Sequence, residues 1–325
     1  MPQDGRRVEA RINLQIEAQP DDSTCGPTSL QAVYDYYGDD IGLERVIREV
    51  PRLENGGTLA VLLGCHALER GYRAVSYTYD LRVFDPTWFM LGKDLLLEKL
   101  AMQLTYKLSP RMAEATDAYQ RYLRLGGEIR YQDLHGGLLR KYLKRGIPVL
   151  AGLSSTYLYG SARELDFGDR LVHDDVRGEP SGHFVVLAGY DIKGRSVTVA
   201  DPLSPNPMGQ SQFYEVGISH LINAIMLGIV TYDANLLVIL PREDSKFREP
   251  AGRSQTPLRR KTDIAPVSDR APREQASPRI RQEQALIQAS QADRADRANQ
   301  VGGKKKKRAS GKARPRGKGG RRDKT

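Results

Sequence analysis

One cysteine stands where a polar loop is predicted to become an amphipathic helix, within residues 19–30 (QPDDSTCGPTSL). Pro27 suits the first turn of a helix, where the N–H that proline lacks would have no partner. Gly38 is placed to end the helix in the left-handed conformation. The residues between them carry apolar side chains at helical spacing, namely Leu30, Val33, Tyr34 and Tyr37. The pattern therefore places Cys25 at the N-terminus of a helix.

A cysteine in that position is placed for nucleophilic chemistry. The helix dipole and the free N–H groups of the first turn favour an anion there, and the thiolate is the form of cysteine that acts as a nucleophile. Such a nucleophile needs a base, a group that orients the base, and donors for the oxyanion.

A predicted β-hairpin supplies the base and its partner. Residues 184–190 and 196–200 are rich in β-branched residues and are joined by a short turn. Antiparallel pairing about that turn brings the start of the first strand close to the end of the second. Asp201 is thus predicted to lie within side-chain reach of His183, where it can hold the imidazole tautomer and stabilise its charged form.

The oxyanion donors are predicted to come from the region of the cysteine itself. The backbone N–H of Cys25 is one donor, and the side-chain amide of Gln19, six residues upstream on the same loop, is a second. The order Gln, Cys, His, Asp along the chain matches papain-like architecture, with the nucleophile on a helix and the base on a sheet.

The motifs around these residues resemble a known family. Residues 19–30, 182–190 (GHFVVLAGY) and 199–202 (VADP) are similar to the papain-like cysteine peptidases related to the leader-peptidase domain of bacteriocin ABC exporters. Within that group the chain is most similar to the stand-alone, peptidase-like branch. The resemblance covers about residues 10–245.

Residue by residue, the resemblance implies Cys25 as the nucleophile and Gln19 as the oxyanion residue. It implies His183 as the general base and Asp201 as the residue that orients it. The implied activity is that of a thiol hydrolase that cleaves a peptide or isopeptide amide through a Cys acyl-enzyme. No cofactor and no metal ion are expected.

The chain departs from the exporters of that group, because it shows neither membrane segments nor a nucleotide-binding domain. Nothing in it points to the Gly-Gly specificity of exporter leader peptidases. Two alternatives stay open. The same acyl-enzyme could pass its acyl group to an amine, as a transpeptidase or amide-exchange enzyme, or the fold could be a non-catalytic peptide-binding module. An inactive version would be expected to lose Cys25 or His183, and this chain keeps both.

The pattern of elements predicts an α+β fold of the papain-like type, in which the nucleophile helix packs on an antiparallel sheet. The peptidase-like domain is expected to occupy residues 1–245, with a helical insert over 91–145. A strand is predicted over 8–16, where apolar and polar residues alternate. Residues 154–181 are polar and are predicted to form a long irregular surface loop.

The basic charge of the chain is concentrated in its C-terminal part. Residues 251–325 hold 22 Lys and Arg against 7 Asp and Glu, so the overall charge of +10 leaves −5 for residues 1–250. Residues 246–325 have too few apolar side chains for a core and are predicted to be disordered. The Lys/Arg-rich residues 304–325 predict non-specific contact with nucleic acid or another polyanion.

The remaining cysteine and the N-terminal composition bear on the compartment. The chain has two cysteines, Cys25 and Cys65, too few for a disulfide-built secreted domain. No signal peptide and no apolar run of about 18 residues are present. A cytoplasmic location is therefore expected. Cys65 is predicted to be a core residue, and the cluster at residues 173–175 (HDD) is a weak candidate for a metal site.

Overall fold

The structure is a computed structural model, and it describes residues 10–53, 56–90, 92–166 and 171–242. The basic tail predicted for residues 246–325, with its proposed polyanion contact at 304–325, lies outside the described residues. Within the described residues, no helix has the length and apolar character that crossing a membrane requires.

The helices within the described residues lie mostly in the first half of the chain. They are α1 (Cys25–Tyr36), α2 (Leu43–Glu49), α3 (Ala60–Glu69), α4 (Lys93–Gln103), α5 (Pro110–Arg124), α6 (Gly136–Leu143), α7 (Ser155–Tyr159) and α8 (Ile218–Leu227), with short 3-10 helices at Pro86–Met90 and Gly228–Thr231.

The strands lie mostly in the second half of the chain. They are β1 (Ala10–Arg11), β2 (Arg73–Thr78), β3 (Glu128–Arg130), β4 (Val149–Ser154), β5 (Glu164–Asp166), β6 (Leu171–His173), β7 (Gly182–Asp191), β8 (Ser196–Ala200), β9 (Phe213–Gly217) and β10 (Asn235–Leu240).

One large sheet organises these strands, in the order β3-β2-β10-β4-β7-β8-β9, with β1 paired to β7. Only the pairing of β2 with β3 is parallel among the ladders described. Strands β5 and β6 form a separate hairpin. The architecture is α+β with a mainly antiparallel sheet, so the predicted fold class is confirmed.

The middle of the sheet forms the core of the molecule. Strands β10, β4 and β7 are buried along almost their whole length. Because successive side chains of a strand point to opposite faces, helices must cover both faces of the sheet there. Helix α1 packs on β7, α3 packs on β2 and β10, and α8 packs on β4.

Helix α1 lies close against β7 because Gly26 has no side chain. A Cβ atom at Gly26 would come within 2.7 Å of Thr58 Cγ2 and within 3.3 Å of Phe184 Cδ2. One turn further along α1, Ser29 Oγ donates a hydrogen bond of 3.2 Å to Phe184 O. These contacts fix the helix that begins with Cys25 against the strand that carries His183.

Strands β7 and β8 form the predicted hairpin, with one irregularity. The register shifts between Leu187 and Gly189, which marks a β-bulge. Beyond the bulge Val186 pairs with Ala200, so Asp201 lies just past the last pair of the ladder. The hairpin therefore brings its two ends together as the sequence predicts.

Residues 8–9 of the strand predicted over 8–16 lie outside the described residues. The C-terminal part of the prediction is wrong, because strand pairing in the described part of this range covers only Ala10–Arg11. Ile12 N adds one hydrogen bond of 2.8 Å to Ala188 O. Ile12 and Leu14 are buried while their neighbours in sequence are exposed. The alternation thus reflects an extended segment that packs on the core without forming a full ladder.

The irregular loop predicted over 154–181 is also wrong in part, since it contains α7 and the β5–β6 hairpin. Ser154 Oγ accepts a hydrogen bond from Tyr157 N and caps α7. Gly160 ends the helix in the left-handed conformation, with φ of 62°. Two cap residues thus create a short helix within a polar segment.

The segment 91–145 contains a strand as well as helices. The helices predicted there are present as α4, α5 and α6, but β3 pairs with β2 and extends the sheet. Helix α5 packs on α3, where the ring of Tyr122 lies against Gly64. A Cβ atom at Gly64 would come within 2.5 Å of Tyr122 Cε2.

Gly64→Ala is expected to destabilise the protein, because Tyr122 is fully buried and has no room to move away. Overpacking of this kind costs about 1–3 kcal/mol or more, which exceeds the ~1 kcal/mol that Ala gains over Gly in a helix. Urea unfolding measures the change. Gly42→Ala is the matched control, since nothing lies within 4 Å of its Cβ position. Equal free energies of unfolding for the two variants would contradict the prediction.

Candidate active site

Cys25 begins α1 and is 8% exposed. The preceding residue, Thr24, makes no side-chain cap bond to the helix. Pro27 has no N–H, and Thr28 N donates to Thr24 O. The N–H groups of Cys25 and Gly26 are therefore the first-turn donors that an anion beside the thiol would meet.

His183 is the second residue of β7 and is buried. Its Nε2 lies 2.8 Å from Asp201 Oδ1. The thiol of Cys25 lies near enough to the imidazole to raise its pKa. Since Nε2 is engaged by the carboxylate, Nδ1 is the ring nitrogen left for the thiol. The structure thus brings together three of the four predicted site residues.

Asp201 is fully buried, and its carboxylate accepts four hydrogen bonds. Oδ1 accepts from His183 Nε2 at 2.8 Å and from Leu203 N at 2.9 Å. Oδ2 accepts from Tyr159 Oη at 2.8 Å and from Tyr214 Oη at 2.5 Å. A buried charge is tolerated when it is compensated in this way.

The charges around His183 favour its protonated form. Burial alone would lower the pKa of His183, but the charge of a Cys25 thiolate and the hydrogen bond to Asp201 raise it from 6.5 to about 10. Burial would raise the pKa of Asp201, but the charge and hydrogen bond of His183 hold it below 3.8. The arrangement therefore stabilises an imidazolium beside the carboxylate of Asp201 at neutral pH.

Gln19, the fourth predicted residue, is tied to the same region through its backbone. Gln19 N donates a hydrogen bond of 2.8 Å to Pro202 O, directly after Asp201. Its side-chain Nε2 donates to Asp21 O at 2.9 Å, which leaves the second N–H of the amide for another acceptor. The Gln19 loop is thus fastened beside the His183–Asp201 pair.

A cleft of about 420 Å³ opens beside Cys25. Its walls combine charged, polar and apolar side chains from separate parts of the chain. They come from the loop before α1, from the loop between α2 and α3, from α5, from the start of β7 and from the segment before β10, and include Asp22, Leu53, Thr58, Arg111, Phe184 and Val230.

One wall of the cleft is built around Tyr232. This residue has φ of 68°, a left-handed conformation that is uncommon outside glycine. The guanidinium carbon of Arg82 lies 3.6 Å from the centroid of the Tyr232 ring, and that of Arg111 lies 5.0 Å from it. Arg82 also forms an ion pair with Asp80 at 3.0 Å. The Tyr232 ring thus lies against the guanidinium groups of Arg82 and Arg111, and Arg111 lines the cleft.

Asp233 also lines the cleft, and it is 7% exposed. A Cβ atom at Gly182 would overlap Asp233 Oδ2, so the carboxyl lies against the residue before His183. Burial raises the pKa of Asp233 to about 7, although Thr231 and Arg111 act in the opposite direction. The cleft therefore contains a carboxyl group that changes its charge near neutral pH.

The other candidates from the sequence lie away from this site. Cys65 is fully buried in α3, and burial raises the pKa of its thiol to about 12. His66 is held between Tyr34 Oη at 2.9 Å and Glu49 Oε2 at 3.2 Å. His173 is exposed on β6. Among the residues that the structure describes, no group of three or more His, Cys, Asp or Glu side chains is placed to hold a metal ion.

Sequence reasoning missed three residues of the site. Tyr214 pairs with Val199 across β8 and β9, which makes it a diagonal neighbour of Asp201 on the same face. A prediction that β8 pairs with β9 would have identified Tyr214. Tyr159 lies in the segment predicted to be irregular, and Asp233 precedes a distant strand, so no local spacing links either to the site.

Residues 91–223 match the model of the Peptidase_C39 like family. The match confirms the predicted resemblance to this branch of the papain-like cysteine peptidases. It includes His183 and Asp201, and it begins after Gln19 and Cys25. It also contains the whole of the segment 91–145.

A solved structure is also similar to this chain, the crystal structure of a double glycine motif protease from an AMS/PCAT transporter in complex with the leader peptide. The two sequences are 15% identical, the alignment covers 71% of this chain and 94% of that chain, and the TM-score is 0.35. A comparison with curated proteins gave no match. The resemblance to the family therefore depends on the family model.

Asp233→Asn is expected to stabilise the protein at neutral pH. The folded pKa of about 7 lies above the ordinary 3.8, so the unfolded chain ionises first and the folded state loses stability as pH rises between these values. The penalty is absent below about pH 4 and reaches at most about 4 kcal/mol above pH 7. Urea unfolding across this range measures it.

Asp22→Asn is the control, because Asp22 lines the same cleft but is exposed. Its effect on the free energy of unfolding is expected to stay within about 0.5 kcal/mol at each pH. A gain in Asp233→Asn that is the same at acid and neutral pH would contradict the prediction.

Proposed function

We propose that the protein is a thiol hydrolase that cleaves a peptide or isopeptide amide through a Cys25 acyl-enzyme. The observation that carries the proposal is the position of His183, whose Nε2 lies 2.8 Å from Asp201 Oδ1 and whose pKa is raised by the neighbouring Cys25. A thiolate, an imidazolium and a carboxylate in this order are the groups that acyl transfer by a cysteine requires.

The first half-reaction forms the acyl-enzyme. The Cys25 thiolate attacks the carbonyl carbon and a C–S bond forms, while the N–H of Cys25 and the amide of Gln19 stabilise the oxyanion. His183 gives its proton to the nitrogen as the C–N bond breaks, and the amine leaves. Asp201 orients the imidazole throughout.

The second half-reaction releases the acid. His183 is now neutral and takes a proton from water, while the water oxygen attacks the acyl carbon. The C–S bond then breaks and the carboxylic acid leaves. Cys25 returns to the thiolate and His183 remains protonated, which restores the starting ion pair.

Two further observations support this proposal. The family match covers the half of the site that contains His183 and Asp201. Both cysteines are free thiols, which agrees with a reducing compartment, so we place the reaction in the cytoplasm. A cleft of about 420 Å³ is within the range of ligand pockets and suits a short stretch of peptide.

Cys25→Ala is expected to abolish labelling of the native protein by iodoacetamide. Cys65→Ala is expected to leave labelling nearly unchanged, because burial keeps the Cys65 thiol protonated and out of reach. Mass spectrometry of the alkylated peptides measures both sites in one experiment. Equal labelling of the two cysteines in the native chain would rule out Cys25 as the activated nucleophile.

Peptide cleavage is tested with a library of peptides made by digesting a whole proteome. The native protein is expected to create new chain termini that Cys25→Ala does not create, and mass spectrometry identifies them. Adding excess glycinamide separates the two acyl-enzyme reactions, since amide exchange would leave glycinamide on the new C-termini. A library with no new termini in either form would count against the hydrolase.

A further inference from the structure

The carboxylate of Asp201 is held by two phenols on the side away from His183. We propose that Tyr159 and Tyr214 are positioning residues of the site, which keep Asp201 ionised and turned toward the imidazole. The inference rests on the proposed function and adds to it two residues that act only through Asp201.

The two phenols reach the same oxygen from different elements. Tyr159 is the last residue of α7, and Tyr214 is the second residue of β9. Their hydroxyls lie 2.8 Å and 2.5 Å from Asp201 Oδ2. The ring of Tyr159 also faces the ring of His183, with 6.0 Å between their centroids. Helix α7 and strand β9 therefore hold the carboxylate in position, together with the end of β8 that Asp201 follows.

The phenols complete the coordination of a carboxylate that water does not reach. Asp201 has 0% exposure, and its Oδ1 is already taken by His183 and Leu203 N. Without the tyrosines Oδ2 would be a buried anionic oxygen with no donor of its own, and such an oxygen favours protonation. The phenols thus lower the proton affinity of the carboxylate.

The phenols can only act as donors toward this oxygen. Burial raises the pKa of Tyr159 and of Tyr214 well above the ordinary 10, and the negative charge of Asp201 raises both further. They therefore stay protonated wherever Asp201 is ionised. Hydrogen bonds from a neutral donor to a charged acceptor are among the stronger ones in proteins.

Titratable groups of four elements surround the pair formed by Asp201 and His183. His183 of β7, Tyr159 of α7 and Tyr214 of β9 contact Asp201 directly. Cys25 of α1 lies beyond His183, and Asp233 acts on His183 from the cleft side. Among these titratable groups the two tyrosines contact Asp201 without contributing a charge, so removal of a phenol hydroxyl acts on the proton affinity of the carboxylate.

The effect of the two phenols on Asp201 is measurable at acid pH. When Asp201 takes up a proton, the imidazolium loses its anionic partner and no longer stabilises the Cys25 thiolate. Loss of one phenol hydroxyl raises the pKa of Asp201, so the acid side of the pH profile of Cys25 reactivity moves to higher pH. One charge-assisted hydrogen bond corresponds to a shift of about one pH unit.

The test uses Tyr159→Phe and Tyr214→Phe in the full chain, since each keeps the ring and removes only the hydroxyl. The rate constant for alkylation of Cys25 by iodoacetamide is measured from about pH 3 to pH 11. In both variants the midpoint of the acid limb is expected to lie about one pH unit above that of the native protein. The alkaline limb is expected to stay in place.

Tyr36→Phe is the matched control, because its hydroxyl donates one hydrogen bond of 2.8 Å to Gly146 O, away from the site. It removes the same group and is expected to leave the pH profile unchanged. If Tyr159→Phe and Tyr214→Phe lower the melting temperature but superimpose on the native profile, the tyrosines are structural only and the inference is overturned.

A second readout does not depend on cysteine chemistry. The proton on His183 Nε2, observed by NMR with labelled histidine and assigned by its loss in His183→Asn, reports the bond to Asp201 directly. Its titration at acid pH is expected to move by about one unit in the same two variants. A native chain in which Cys25 alkylates no faster than Cys65 overturns the proposed function, whereas an unshifted His183 titration overturns the inference alone.

Discussion

The rest of the site depends on a single buried anion, the carboxylate of Asp201. An ionised carboxylate with no exposed surface is costly unless donors and an opposite charge surround it. His183 supplies the charge, while Leu203 N, Tyr159 and Tyr214 supply the remaining donors. Each partner comes from a different part of the fold, so the carboxylate can only be satisfied when those parts are in place.

The mainly antiparallel sheet is what makes this convergence possible. Strand β7 carries the histidine and lies between β4 and β8, and α1 is fixed against it by the close contact at Gly26. The loop of Gln19 is joined to the same edge by its hydrogen bond to Pro202 O. The proposed nucleophile, base and oxyanion residue are thus all positioned by the β7–β8 hairpin, and small changes in the position of this hairpin would affect all three.

The parts of this arrangement that the sequence predicts are the local ones. A proline in a first turn, a glycine at a helix end and a short turn between β-branched runs identify α1 and the β7–β8 hairpin, and with them Cys25, His183 and Asp201. The missed parts depend on packing between distant segments. The bulge near Gly189, the phenol of Tyr159 and the buried carboxyl of Asp233 follow from contacts that no spacing along the chain records.

The last strand in sequence, β10, lies in the interior of the sheet between β2 and β4. The half of the sheet that carries the site and the half formed by β2 and β3 therefore meet only after almost the whole described chain has been synthesised. The first helix with its cysteine leaves the ribosome long before the surface that it packs on is complete. Cys25 therefore has no His183 beside it until β7 has been synthesised.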